Sequence, residues 1–162
     1  MNSRPKTPID YRIIVYGVAI LFAPVWVPLI VALMVLLLLY WMLLYLAVWT
    51  WWLPRGKDVL IVYSNSPIWH DYMTEKIIAS LQHRAIILNW SERKQWRRTL
   101  AVFALRAFGG GREFNPMVMV FRPFRLAKKY RYWEPFRYWK RGNTEPVEAM
   151  TRELLGFLRI TE

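Results

Sequence analysis

Residues 13–53 read IIVYGVAILFAPVWVPLIVALMVLLLLYWMLLYLAVWTWWL, without one Asp, Glu, Lys, Arg, Asn, Gln or Ser, and Thr50 is their only non-aromatic polar side chain. Such a run belongs in lipid. A spanning helix needs about 20 apolar residues for a hydrocarbon core roughly 30 Å thick. As one helix the run would be about 60 Å long, so its length suggests two crossings, Ile13–Val31 and Leu33–Leu53. Cations flank both ends, Arg4, Lys6 and Arg12 before and Arg55 and Lys57 after. Two crossings put both flanks in the cytoplasm, as the positive-inside bias favours. Pro24 and Pro28 predict a kink in the first crossing, or else a hairpin turning inside the bilayer at PVWVP.

Trp49, Trp51 and Trp52 precede Pro54-Arg55, and Tyr11 precedes Arg12. These are interface anchors, with rings at headgroup level and cations beyond. Tyr40, Trp41 and Tyr45 lie deeper, so that face is expected to pack on the first helix or on a neighbouring protomer. The run is too long for a signal-peptide core, and no small-x-small cleavage pattern follows it.

Beyond Pro54 the composition changes. Residues 54–162 hold 20 Lys and Arg against 10 Asp and Glu, a difference of +10. A field of that sign favours an anionic partner: a phospholipid surface, a phosphate-bearing ligand or a nucleic acid. The chain has no cysteine, which removes disulfides, thiolate metal sites and cysteine nucleophiles.

The domain reads as alternating strands and helices. DVLIVYS (58–64), RAIILNW (84–90) and MVMVF (117–121) are β-branched or apolar runs of strand length. Ser66-Pro67 predicts a helix to about Leu81, with Met73, Ile77, Ile78 and Leu81 on one side. Ser91 caps a second expected helix at about 92–108, stopped by Gly109-Gly110-Gly111. Thr144-Glu145-Pro146 opens a last helix, with Val147, Met150, Leu154 and Phe157 on one face. The order βαβαβα implies right-handed crossovers between parallel strands.

The expected fold is therefore an N-terminal membrane-embedded α-helical hairpin followed by a small α/β domain with a three-stranded, mostly parallel sheet. Residues 1–12 form a basic cytoplasmic N-terminus and residues 13–53 two transmembrane helices, or a membrane-dipping hairpin. Residues 55–162 form the basic cytoplasmic domain of an integral membrane protein, in a plasma membrane or a bacterial inner membrane.

Open α/β sheets bind ligands at their strand C-terminal ends. Ser64, Asn65 and Ser66 follow the first strand, Asn89 and Ser91 the second, and Arg122 the third. With parallel strands these would surround an anion, aided by free helix amides; the competing reading is plain capping and turn formation. Arg93, Lys94, Arg97 and Arg98 open the second expected helix as like-charged i,i+4 pairs, which a helix disfavours unless an anion joins them. Arg93 and Arg97 therefore join the candidate anion ligands.

Residues 122–141, RPFRLAKKYRYWEPFRYWKR, contain eight cations, seven aromatic residues and one acid, Glu134. Interleaved rings and cations suit an anionic bilayer, and Arg125, Lys128, Lys129, Tyr130, Arg131, Tyr132, Trp133, Arg137 and Trp139 are the candidate membrane-contact residues. Ordinary amphipathic packing with a basic outer face competes with that reading, and single-stranded nucleic acid is the least favoured. His70 and Glu75, near Asp71 on the first domain helix, are the candidate catalytic groups. Two histidines without cysteine make no metal site, and no cofactor motif is present.

VLIVYSNSPIWHDYMTEKIIASL (59–81), a strand ending in Tyr-Ser before a helix with Trp and Glu, is similar to the opening of TIR-type domains. Some of those domains cleave nicotinamide dinucleotides with a helix glutamate. The resemblance covers this segment alone; it implies Glu75 as the matching acid and a five-stranded continuation.

The leading expectation is an adaptor or assembly component at anionic lipid or a membrane-bound partner, self-association being permitted. The alternative is a membrane enzyme acting on a nucleotide- or phosphate-bearing substrate.

Overall fold

The computed structural model describes residues 20–110 and 116–159, together with Tyr11 and Tyr16. Arg4, Lys6, Asp10, Arg12, most of the apolar run before Ile20, and Gly111 lie outside the described residues.

The apolar run forms one continuous helix, α1, Ala23–Trp51. It passes without a break through Val31–Leu33, where two crossings would need their turn, and through PVWVP, where a dipping hairpin would turn. Both expected turns are therefore corrected to helix. The physical reason is that neither stretch holds a Gly, Asn, Asp or Ser to favour a turn, whereas a helix pairs the backbone groups internally. Pro24 lies in the first turn, where the amide has no intrahelical partner in any case. Only Pro28 removes an internal bond.

The chain divides into two compact units, with the boundary between Trp41 and Met42. In the first unit, the described residues are exposed apart from the partly covered Ala23. The stretch Ala23–Arg55 is long and apolar enough to cross a membrane, and only 6% of its most apolar window is buried, unlike a soluble core helix.

In the second unit α1 finishes as part of a folded domain. Leu44, Val48 and Trp52 recur every fourth residue and are buried. A 3-10 turn, Leu53–Arg55, ends at Gly56, whose φ of 69° lets its amide bond the Leu53 carbonyl. Then come β1 (Val59–Tyr63) and α2, residues 70–81, whose middle, Met73–Ile78, is π-helical. β2 is Ala85–Asn89, followed by a 3-10 segment Trp90–Gln95 and α3, Leu100–Phe108. β3 (Met117–Val120), β4 (Lys128–Arg131), α4 (Trp133–Trp139) and α5 (Glu145–Leu158) complete the domain.

The sheet has four strands in the order β2-β1-β3-β4. β1 and β2 are parallel, but β3 is antiparallel to β1, with Val59 opposite Val120, and β4 is antiparallel to β3. The three-stranded, mostly parallel sheet is thus corrected to a four-stranded mixed one, and the five-stranded continuation implied by the TIR resemblance is absent among the described residues. The parallel expectation rests on a long second helix carrying the chain back to the start of the sheet. Instead residues 90–95 coil as a 3-10 segment, and Leu105, Arg106 and Gly110 at the end of α3 lie beside Trp90 and Trp96. The chain consequently enters β3 from the C-terminal end of β1.

Each central strand alternates between two cores. Val59, Ile61, Val118 and Val120 join Met73, Ile77, Phe136, Val147 and Leu154 from α2, α4 and α5. Leu60, Val62, Met117 and Met119 join Ala101, Ala104, Leu105 and Phe108 of α3 together with Leu44, Val48 and Trp52. The sheet is covered on both faces, and the end of α1 supplies part of one cover.

Candidate functional site

The C-terminal ends of β1 and β2 carry a polar knot. The Asn65 amide donates to Ser91 Oγ at 3.0 Å, and Asn89 Nδ2 donates both to Asn65 Oδ1 and to a Glu92 carboxylate oxygen, each at 3.0 Å. Asn89 Oδ1 accepts from the Ser91 amide, while Trp69 Nε1 donates to the buried Ser64 hydroxyl at 3.1 Å. The Ser66 carbonyl accepts from the Trp69 and His70 amides. Ser64, Asn65, Asn89 and Ser91 thus bond to one another or to adjacent loop groups, which is what capping requires.

Arg122 is not with them. Because β3 runs antiparallel, Arg122 sits at the opposite end of the sheet, beside Asp58 and Arg84, in a depression of about 460 Å³. There its Nη2 donates to the Phe157 carbonyl at 2.7 Å, and its guanidinium lies 4.7 Å from the Phe157 ring centre. Arg84 donates to the neighbouring Leu158 carbonyl at 3.3 Å and forms a two-pronged ion pair with Asp58. Hydrogen bonding to Asp58 raises the Arg84 pKa from its ordinary value, against the opposing effect of burial. Both arginines cap the C-terminal end of α5, where carbonyls lack helical partners.

Arg93, Lys94, Arg97 and Arg98 do not share a helix. Residues 90–95 are 3-10, the helical run stops before Trp96, and α3 begins at Leu100. The break separates charges that a single α-helix would stack at i,i+4. Trp96 Nε1 holds the turn by donating to the Asn89 carbonyl at 3.1 Å. Trp90 and Trp96 meet edge to face, 5.5 Å between centres, and with Arg93, Leu105, Arg106 and Gly110 they line a depression of about 330 Å³. Arg106 is a member that the sequence pattern did not single out.

The basic-aromatic segment separates into two classes. Tyr130, Tyr132 and Phe136 are buried, so the candidate membrane contacts Tyr130 and Tyr132 are corrected to core residues. Trp139 is partly buried, packed against Tyr72 and Phe136. Burial raises the Tyr132 phenol pKa, while its hydrogen bond with Thr151, at 3.3 Å, works in the other direction. The cations stay outside. Arg125, Lys128, Lys129 and Arg137 are exposed, Arg131 is half-buried with Nη2 donating to the Gly109 carbonyl, and Trp133 is 39% exposed. Lys128 pairs with Glu153 at 2.9 Å.

Arg137, Lys140 and Arg141 rise one turn apart on and just after α4. They rim a depression of about 270 Å³ whose other walls are Trp69, Trp133 and Phe136. Lys140 and Arg141 were legible as i,i+3 and i,i+4 neighbours of Arg137. Among the described residues the ion pairs are Arg84–Asp58 and Lys128–Glu153, so none of these three cations has a carboxylate within pairing distance.

The candidate catalytic groups do not converge. Glu75 is exposed and lines a depression of about 570 Å³ with Tyr72, Lys76, Trp139, Glu148 and Arg152. His70 is not among its walls; its ring stacks near Tyr63 and its buried Nδ1 has no hydrogen-bond partner. The described residues hold no group of His, Asp and Glu able to bind a metal ion. No protein-family model, curated protein or solved structure matches the chain.

Proposed function

We propose that this protein is a membrane-anchored adaptor or assembly component whose cationic α4 face engages anionic headgroups or an acidic membrane-bound partner. Anchoring is supported by α1: residues 23–43 rise about 31 Å at 1.5 Å per residue, matching a hydrocarbon core of about 30 Å. A cytoplasmic domain is supported by Arg55 and Lys57 next to the helix, against which Arg4, Lys6 and Arg12 compete on the other flank of a single crossing. The observation that carries the reading is the cluster of Arg137, Lys140 and Arg141, set around aromatic rings and in none of the ion pairs among the described residues, with Glu134 the acid beside it. Each cation near an anionic surface contributes about 1 kcal/mol.

The test uses the full chain in vesicles containing spin-labelled phosphatidylglycerol or phosphatidylcholine. The motionally restricted fraction should be at least about twofold larger for the anionic lipid, and this excess should shrink in high salt, where screening is short-ranged. Arg137→Glu, Lys140→Glu and Arg141→Glu together should remove most of it. Equal restriction of both lipids at low salt would exclude a lipid partner and leave an acidic protein.

A second reading, binding of a phosphate-bearing aromatic ligand, is favoured by one feature: the crossed Trp90 and Trp96 rings beside Arg93 and Arg106. Rings stack on a base and guanidinium groups hold phosphate. Among the described residues the charged groups lining that depression are the two arginines, which suit holding a phosphate.

A further inference from the structure

The turn Arg122–Arg125 is built in a way that water disfavours twice. The Arg125 amide bonds the Arg122 carbonyl at 3.3 Å, with Pro123 at the second position and Phe124 at the third. Phe124 has φ of 56°, the left-handed region. A turn with Pro second and positive φ third ordinarily takes Gly or Asn there, and a bulky side chain at that φ is strained. The turn also displays its apolar side chains: Phe124 is 90% exposed and Leu126 83% exposed, the two most exposed large apolar residues among those described in the domain. Strain and apolar exposure in one short loop need a common cause.

The loop is fastened to the last turns of α1. Tyr45 Oη accepts from the Ala127 amide at 3.0 Å, and the Trp49 ring centre lies 5.3 Å from that of Phe124. A few residues further on, Trp51 is exposed, with the Arg55 guanidinium 3.9 Å above its ring. A tryptophan followed by a cation is the arrangement that marks the headgroup layer.

We propose that Pro123–Leu126 is a second membrane attachment, an apolar wedge that places Phe124 and Leu126 in the interfacial layer of the bilayer beside the end of α1. Arg125, exposed between them, faces the lipid phosphates. In this position the two side chains leave water, and the strained backbone keeps them pointed outward. The proposal rests on α1 being in the membrane but not on the α4 face binding anything.

The chain has no cysteine, so single-cysteine labelling needs no background removal. Full-chain Phe124→Cys, Leu126→Cys, Leu36→Cys and Glu148→Cys, the last an exposed position on α5, would each carry a nitroxide in vesicles of mixed zwitterionic and anionic lipid. Collision with oxygen, which partitions into lipid, is compared with collision with a water-soluble nickel chelate. The expected result is oxygen dominance at 36, a shallower oxygen dominance at 124 and 126, and nickel dominance at 148. Oxygen dominance at 36 with nickel dominance at 124 and 126 overturns the wedge while sparing the anchor. Nickel dominance at 36 overturns both. Labels at 124 and 126 shielded from both reagents would mean that protein covers the loop, and would also overturn the proposal. Each loop substitution replaces an exposed side chain, so folding is not at stake.

Discussion

The two faces of the sheet are covered in different ways. One face is roofed by α2, α4 and α5, all from the domain's own sequence, and it holds a hydroxyl chain in which Thr151 Oγ1 meets Tyr72 Oη at 2.9 Å and Tyr132 Oη at 3.3 Å. The other face is roofed by α3 and by Leu44, Val48 and Trp52 of α1, an apolar layer joined by rings such as Trp52 against Phe121 at 5.6 Å. The difference teaches that α1 is more than a tether. Its last turns are a structural element of the domain, with Leu44, Val48 and Trp52 in its core.

The largest expected effect comes from cutting the chain where its composition changes. A fragment of residues 55–162 lacks Leu44, Val48 and Trp52 and leaves Leu60, Val62 and Met119 under-covered. Burial of three such side chains is worth roughly 5 kcal/mol or more, comparable with a whole domain's typical net stability of about 5–15 kcal/mol. That fragment should show no cooperative thermal transition by circular dichroism, whereas residues 42–162 in mild detergent should keep one. A cooperative melt of the shorter fragment would show that the α1 cover is dispensable.

Single truncations sharpen the same contrast. Val48 and Leu154 are both fully buried, one in each core, while Leu46 on the same α1 turn as Val48 is 51% exposed. Val48→Ala should cost about 1–3 kcal/mol and Leu154→Ala about 2–5 kcal/mol, while Leu46→Ala should stay within about 0.5 kcal/mol in detergent. Urea titration of the full chain reads all three. Equal, small effects at 46 and 48 would mean that the α1 side of the core is loosely packed.

The shared role of α1 was hidden in the sequence for a physical reason. The end of α1 is apolar on every side, so no periodicity separates Leu44, Val48 and Trp52 from Leu43 and Leu46. By contrast Val147 and Leu154 stand out on α5 because their opposite face carries Glu148, Arg152 and Glu153. β1, β2 and β3 were legible as strands; β1 and β3 are buried, whereas β2 is only partly covered, with Ile87 40% exposed. β4 was not, because an edge strand made of Lys128, Lys129, Tyr130 and Arg131 offers one buried side chain and charges that guard its edge. Strand direction is a tertiary property, and here it turned on where α3 ends. The polar residues following β1 and β2 do meet, as Asn65, Asn89 and Ser91 show; Arg122 lies apart from them because β3 runs antiparallel. Of the cations in residues 122–141, Arg122 and Arg131 are half-buried on backbone carbonyls and the others are exposed, while the burial of Tyr130 and Tyr132 could be read only once β4 was known.

The smallest effect separates the faces by chemistry instead of packing. Tyr132 is fully buried on the α2–α4–α5 face, and burial raises its phenol pKa above the ordinary value of 10.0. The native state therefore holds that proton more tightly than the unfolded chain does. Wherever the unfolded state has lost a proton that the native state keeps, stability falls as pH rises. The contribution is intact below pH 10, the unfolded value, and declines from there upward. Urea midpoints of the detergent-solubilised full chain between pH 8 and 11 should consequently fall above pH 10. Tyr132→Phe should flatten that fall while costing about 1 kcal/mol at pH 8 through the lost hydrogen bond to Thr151. Val48→Ala should shift the whole curve down and leave its alkaline slope unchanged. An unaltered slope in Tyr132→Phe would place the alkaline sensitivity outside this core and remove the chemical half of the contrast between the faces.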